Sequence, residues 1–277
     1  MSRNKDRLGG HKPEHADAPA SFSPLNFVAP TEFVELPSKG IDYPEGHPLK
    51  GKDVIEIRYM TAKDEDILTS QTLLKKGVAL DRFLENIILD KSIDLKTVLL
   101  GDKNAILIAA RASGYGYDYD TTLTCPKCST KTNVIFDLGK PKITGAFEGD
   151  SESLQKVSDG IYTTAMPLSK FKVNFRLMNS EDENVLSKNI MSQKPGEDNA
   201  LTTQFKRLIQ SIEGYDDQSV IDQYVENMPT VDSRHFKMCL KACNPNIEIR
   251  EIFKCRKCEY QEEVDVPFGT DFFWPDL

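Results

Sequence analysis

The sequence predicts an α+β protein of two pseudo-repeated halves, each helical and each closed by a C-terminal Cys-x-x-Cys β-hairpin. Three observations predict this. Ile57-Arg-Tyr-Met-Thr-Ala-Lys-Asp-Glu-Asp-Ile-Leu68 aligns without gaps on Phe175-Arg-Leu-Met-Asn-Ser-Glu-Asp-Glu-Asn-Val-Leu186. Arg58, Met60, Asp64, Glu65 and Leu68 thereby recur as Arg176, Met178, Asp182, Glu183 and Leu186, at an offset of 118. Further on, Asp102, Cys125 and Cys128 recur as Asp232, Cys255 and Cys258 at an offset of 130, so an insertion of twelve residues is expected in the second copy around 193–199. Amphipathic helices resemble one another by chance, but shared order, spacing and paired cysteines together favour duplication. Two copies are too few for a solenoid, and a pseudo-twofold pair is the natural architecture.

Length and composition agree. A chain of 277 residues is long for one compact domain and comfortable for two small ones. Hydrophobic residues at 39% and charged residues at 28% support a packed core and argue against wholesale disorder. The net charge of -8 disfavours general nucleic-acid binding, which calls for a basic excess. The charged first residues lack a following apolar region, so no secretory signal is expected, and no apolar run approaches the roughly 18 residues of a membrane span. A reducing cytoplasm is therefore expected, where six cysteines suggest metal before disulfides.

Taken in order, residues 1–30 carry His11, Pro13, His15, Pro19, Pro24 and Pro30 with little periodicity, which predicts a flexible N-terminal arm. The first repeat follows over 31–138. Phe33 to Gly40 is a short extended run, and Val54 to Tyr59 alternates as a strand does. A helix is expected after Thr61, with Asp64, Glu65 and Asp66 as a solvated acidic first turn. A second fits Leu80 to Leu89, where Leu80, Phe83, Leu84, Ile87 and Ile88 share a face. A third fits Lys103 to Ala112, with Asp102 as N-cap and Gly114 closing it. The aromatic-glycine stretch Gly114 to Tyr119 leads into Thr121–Cys128 and Thr132–Phe136, β-rich runs flanking a tight turn. Gly, Lys, Asp and Ser over Gly139 to Gly160 predict a linker, placed at 139–165. The second repeat, 166–277, ends in an aromatic tail with the sole tryptophan, Trp274, which either docks onto a partner or folds back on its own core.

The candidate metal ligands are Cys125, Cys128, Cys255 and Cys258. Zinc takes four thiolate or imidazole ligands in a tetrahedron, and each Cys-x-x-Cys turn offers two sulfurs to one side of an ion. The separation of the two turns exceeds that of an ordinary zinc ribbon, but equivalent hairpins of two pseudo-symmetric copies meet near the axis. One structural zinc at a zinc-ribbon-like junction is expected, with Lys127 and Lys257 softening the charge of the dianionic centre. A thioredoxin-like redox pair would instead open a helix after a strand, and the residues after both turns read as extended. A local site built from Cys239, Cys243, Cys255 and Cys258 remains an alternative. However, the first-copy counterparts of Cys239 and Cys243 are Ala109 and Ser113. No catalytic constellation is evident: there is no Gly-rich phosphate loop, nucleophile elbow or His-Glu-x-x-His helix, and His11, His15, His47 and His235 do not group.

Several of these stretches carry a family likeness. Phe33-Val-Glu-Leu-Pro-Ser-Lys-Gly-Ile-Asp-Tyr-Pro44, Ile57 to Leu68, Asp102-Lys-Asn-Ala-Ile-Leu-Ile-Ala-Ala-Arg111 and Cys125-Pro-Lys-Cys128 resemble the baseplate hub subunit family of T-even-like contractile-tailed bacteriophages. The resemblance covers residues 30–138 directly and the second half only through the repeat. It implies a non-enzymatic structural or assembly protein of the tail baseplate hub. Such a protein contacts other hub or tail proteins, and no small-molecule substrate or membrane, in the virion or in the host cytoplasm during assembly. Two other readings stay open: a transient tail-assembly chaperone for a tape-measure protein, and a zinc-ribbon nucleic-acid binder, against which the acidic charge speaks.

Overall fold

A computed structural model of the chain describes residues 28–145, 149, 153–192, 199–267 and 270–273. Most of the expected arm and most of the expected insertion lie outside these residues. Strand β1 (Thr31–Glu35) pairs antiparallel with β2 (Val54–Arg58), Thr31 opposite Arg58. Four helices follow: α1 (Ala62–Thr69), α2 (Gln71–Lys75), α3 (Ala79–Ile87) and α4 (Leu100–Tyr115). The hairpin β3 (Asp118–Thr124) and β4 (Lys131–Asp137) closes this half, and β5 (Lys142–Thr144) comes next.

Strands β6 (Gln155–Ser158), β7 (Ile161–Ala165) and β8 (Lys172–Arg176) are followed by α5 (Ser180–Ser192), α6 (Ala200–Leu208) and β9 (Ile209–Ile212). The four strands form one antiparallel sheet in sequence order. Then come α7 (Gln218–Glu226), α8 (Thr230–Cys243), β10 (Asn246–Glu248), which pairs with β5, and the hairpin β11 (Arg250–Lys254) and β12 (Gln261–Asp265). A short 3-10 turn, Thr270–Phe273, ends the described chain.

Local patterns account for these elements. In β4, Thr132, Val134 and Phe136 are buried between outward-facing Lys131, Asn133 and Ile135, the two-residue period of a strand with one covered face. Helix α3 buries Phe83, Leu84 and Ile87 along one stripe. Helix α4 buries Ala105, Ile106, Leu107, Ile108 and Ala110, nearly its whole circumference, and therefore sits inside the molecule.

Matched geometry recurs along the chain. Arg58 grips Asp64 through two hydrogen bonds of 2.6 and 2.8 Å, and Arg176 grips Asp182 in the same two-pronged way. The β7–β8 ladder sets Ile161 opposite Arg176, as β1–β2 sets Thr31 opposite Arg58. The Asp102 carboxylate accepts from the Ser38 amide at 2.9 Å, while Asp232 accepts from the Leu168 and Ser169 amides at 2.7 and 3.0 Å. Ser38 and Leu168 each stand three residues past their strand. The terminal pairs of the two hairpins, Thr124 with Lys131 and Lys254 with Gln261, are also equivalent.

Several expectations are corrected. The helix after Thr61 is two helices, because Ser70 is extended (φ -62, ψ 106) and breaks the hydrogen-bond ladder. The acidic first turn is not all solvated. Asp64 is 0% exposed, because Arg58 at the end of β2 reaches across to it and Thr61 and Asn86 donate to it as well. Helix α4 starts before Asp102, which lies inside the first turn and binds Ser38 and Tyr43 instead of capping its own helix. The span expected as a linker, 139–165, holds β5, β6 and β7. Its glycines mark turns, but Ile161-Tyr-Thr-Thr-Ala165 is a strand-forming run.

The buried side chains form one contiguous core running from Val34 to Phe273. The junction between halves is hydrogen-bonded: the Leu100 amide donates to the Met178 carbonyl at 3.0 Å, and the Ser180 amide to the Val98 carbonyl at 2.9 Å. Beside it, buried Lys103 bridges Asp81 (2.7 Å) and Glu183 (2.9 Å). From the C-terminal tail, Phe272 and Phe273 pack back edge-on against Tyr119 and Phe83, and Arg111 Nε donates to the Phe272 carbonyl at 2.8 Å. Trp274 lies outside the described residues. No described helix is long and apolar enough to cross a membrane.

Candidate metal centre

The tips of the two hairpins meet. In each, the first cysteine's amide closes the turn onto a carbonyl five residues later: Cys125 onto Thr130 (2.9 Å) and Cys255 onto Tyr260 (2.8 Å). Each turn also holds one residue in the left-handed region, Ser129 (φ 56) and Glu259 (φ 57), one position after the second cysteine. This tight reversal points both sulfurs of a turn to the same side.

The four sulfurs of Cys125, Cys128, Cys255 and Cys258 all lie within 4.8 Å of one another. Across the two hairpins, Cys125 Sγ lies 3.6 Å from Cys258 Sγ and Cys128 Sγ 3.5 Å from Cys255 Sγ. A tetrahedron with metal–sulfur bonds of about 2.3 Å has sulfur–sulfur edges of about 3.8 Å. The four cysteines are free and close enough to hold a metal ion, and theirs is the one group of three or more potential ligands of this kind among the described residues. Cys125 and Cys255 are buried, while Cys128 and Cys258 sit at the rim, and Lys127 and Lys257 are exposed outside it.

The thiols are strongly unequal. Hydrogen bonding to the Thr130 side chain, then to its amide, brings Cys128 down to about 6. The Lys257 and Cys258 amides lower Cys255. At Cys258 the Tyr260 amide pulls down, but desolvation and the three neighbouring sulfurs outweigh it and push the thiol up to about 12. Four thiolates cannot coexist at these distances without a cation, and a bound metal supplies that charge. The amide of Lys257 (3.4 Å from Cys255 Sγ) and the Thr130 hydroxyl (3.3 Å from Cys128 Sγ) form an outer shell that orients the sulfurs. Thr130 was not singled out from sequence, since its second-half counterpart is Tyr260 and no repeat signal marks it.

The alternative pair stands elsewhere. Cys239 and Cys243 are buried on α8, with Cys239 Sγ 3.4 Å from His235 Nε2 and 3.5 Å from Thr164 Oγ1. Burial raises both thiols, as expected of core side chains rather than ligands. His47 stacks on Tyr43 at 4.3 Å and lies 2.8 Å from Thr97 Oγ1. His11 and His15 lie outside the described residues.

A family model described as T4 bacteriophage base plate protein matches residues 31–274. The matched span runs through the second half and takes in all four clustered cysteines. No curated protein and no solved structure matches the chain.

Proposed function

We propose that this chain, which belongs to the T4 bacteriophage base plate protein family, is a non-enzymatic subunit of the central hub of the tail baseplate. In this reading it acts through contacts with other hub or tail proteins and is held rigid by one structural zinc on Cys125, Cys128, Cys255 and Cys258. The observation that carries the metal reading is the convergence of four sulfurs from hairpins 127 residues apart at the closest cross-pair. Closing a loop of that length costs about 4 kcal/mol in chain entropy, and zinc on four cysteines returns about 10–16 kcal/mol at neutral pH. An all-sulfur donor set favours zinc over hard cations, and a closed four-sulfur shell leaves no open position for a reacting water.

The chain is further read as a tandem of one ancestral unit, 31–138 and a second unit that starts with β7 rather than at the expected 166, in which the zinc fixes one unit against the other. The recurring Arg–Asp clasps, the matched ladders and the equivalent cysteine turns support this reading. Quantitative mass spectrometry of purified virions tests the role. A fixed stoichiometry relative to other baseplate subunits is expected. A chain needed for assembly yet missing from finished virions would refute a structural subunit in favour of a transient chaperone. Elemental analysis of the purified protein tests the metal, with one zinc per chain expected.

A further inference from the structure

Strand β1 has one edge that the fold leaves open. The Tyr59 amide donates to the Pro30 carbonyl and the Leu36 amide to the Asp53 carbonyl, both at 2.8 Å, in the register that sets Thr31 opposite Arg58. Hydrogen-bonded pairs alternate along an antiparallel ladder, so Glu32 and Val34 bond inward to β2. The backbone groups of Thr31, Phe33 and Glu35 then point away from it. Among the described residues β1 pairs with β2 alone, and no backbone hydrogen bond reaches that outer edge.

Beside the edge lies a groove of 310 Å³. It is lined by Glu32 to Glu35, by Ala105, Ile108 and Ala109 of α4, and by Ile143 and Ile247, which stand opposite each other in the β5–β10 pair. Glu32 and Val34 share the face of β1 that turns inward. Glu32 Oε1 is closed off from solvent there with no hydrogen-bond partner. A buried carboxylate oxygen in that state calls for a donor, and a cation is the strongest one.

The second half shows what fills such an edge. Strand β6 adds to β7, with Gln155 opposite Thr163, and its Lys156 reaches the buried Asp42 carboxylate at 2.7 Å. An added strand there covers the edge and brings a cation to an acid together.

We propose that the groove beside β1 receives an extended segment of another tail protein, which adds to β1 as a third strand and carries a lysine or arginine for Glu32 between small apolar side chains. This rests on, and deepens, the reading that the chain acts through contacts with other tail proteins. The outward groups of Thr31, Phe33 and Glu35 supply the main-chain bonds, while the apolar lining and the acid select sequence and register.

A displayed library of random nonapeptides, selected on the full metal-loaded chain, tests this. Enriched peptides should alternate apolar side chains with a lysine or arginine. The most enriched peptide, made synthetically, should bind Glu32→Gln roughly 10-fold more weakly than the parent chain. Phe33→Pro removes an outward amide without touching the bonds to β2, and should weaken binding by at least about 10-fold. If Phe33→Pro lowers Tm, Ala109→Leu, which fills the groove, replaces it. Hydrogen exchange followed residue by residue by NMR should show the bound peptide slowing the Thr31, Phe33 and Glu35 amides. Those of Glu32 and Val34, already bonded to β2, should keep their rates. Failure to enrich any peptide, enrichment without a basic residue, or equal binding by parent and variants overturns the proposal. So does a Phe33 amide already slow in the free chain, which means that the same chain covers the edge, or slow only at high concentration, which makes a second copy the occupant. The baseplate role is judged separately by stoichiometry in virions, so a fixed stoichiometry with no selected peptide rejects the groove alone.

Discussion

Removing the proposed metal is the most direct perturbation of this molecule. The proposed tie joins sulfurs 127 residues apart and forms only in the folded chain, so its loss removes the roughly 10–16 kcal/mol of metal binding less the about 4 kcal/mol of loop closure, a net of at least about 6 kcal/mol. For a chain of this size, each kcal/mol moves Tm by roughly 2–4 °C, so chelation should lower Tm by at least about 12 °C. The hairpins themselves survive on their own bonds. The β3–β4 ladder runs from Asp118–Asp137 to Thr124–Lys131, and the cysteine amides close their turns onto backbone carbonyls. Differential scanning calorimetry of the holo protein, the chelated protein, Cys125→Ser and Cys258→Ser should give one high Tm and three similar low ones. The double variant Cys125→Ser/Cys258→Ser should add little, because both residues serve one site. Equal Tm values for holo and chelated protein, or losses that simply add, would refute a shared centre.

Three further outcomes follow from the packing. Burial alone would raise the Asp64 carboxyl, but Arg58, Thr61 and Asn86 outweigh it and hold it at about 2. Because the folded value lies below the ordinary one, this stabilisation is complete above about pH 4 and drains away as pH falls toward 2. Urea midpoints measured against pH should show that fall in the parent and a weaker one in Asp64→Asn, whereas Asp64→Ala should cost about 3–5 kcal/mol at neutral pH by stranding Arg58. Gly101→Ala places a Cβ 1.8 Å from the Pro245 carbonyl oxygen and should cost at least the roughly 1–3 kcal/mol of ordinary overpacking, with a neutral urea curve counting against the α4–β10 approach. Phe273→Ala empties a buried site against Phe83 and should cost about 3–5 kcal/mol, read from the same curves.

Much of the site and the skeleton of the fold were legible in the residue string. The cysteine turns could be read because thiolate chemistry is local: two residues between sulfurs set a turn, and β-rich flanks make it a hairpin. The Arg58–Asp64 and Arg176–Asp182 correspondence was legible as spacing, but not as a buried clasp. Whether an aspartate at the start of a helix meets water or a guanidinium depends on what the preceding strand brings over it. Asp102 was misread for the same reason, since its partners Ser38 and Tyr43 arrive from 64 and 59 residues away. The strands inside 139–165 were hidden by composition, because glycine and serine report the turns between short strands more loudly than the strands themselves.

The zinc reading and the shared core constrain the same motion from different places. At the junction, Leu100 with Met178 and Ser180 with Val98 lock the start of α4 to the start of α5, and Lys103 holds Asp81 and Glu183 together. From the far end of the chain, Phe272 and Phe273 insert beside Tyr119 and Phe83. A hinge between halves would have to break hydrogen-bonded, charged and aromatic contacts at once, and a metal at the hairpin tips removes the remaining freedom to twist. Among the described residues, the junction and the tail thus tie both ends of the chain into one core.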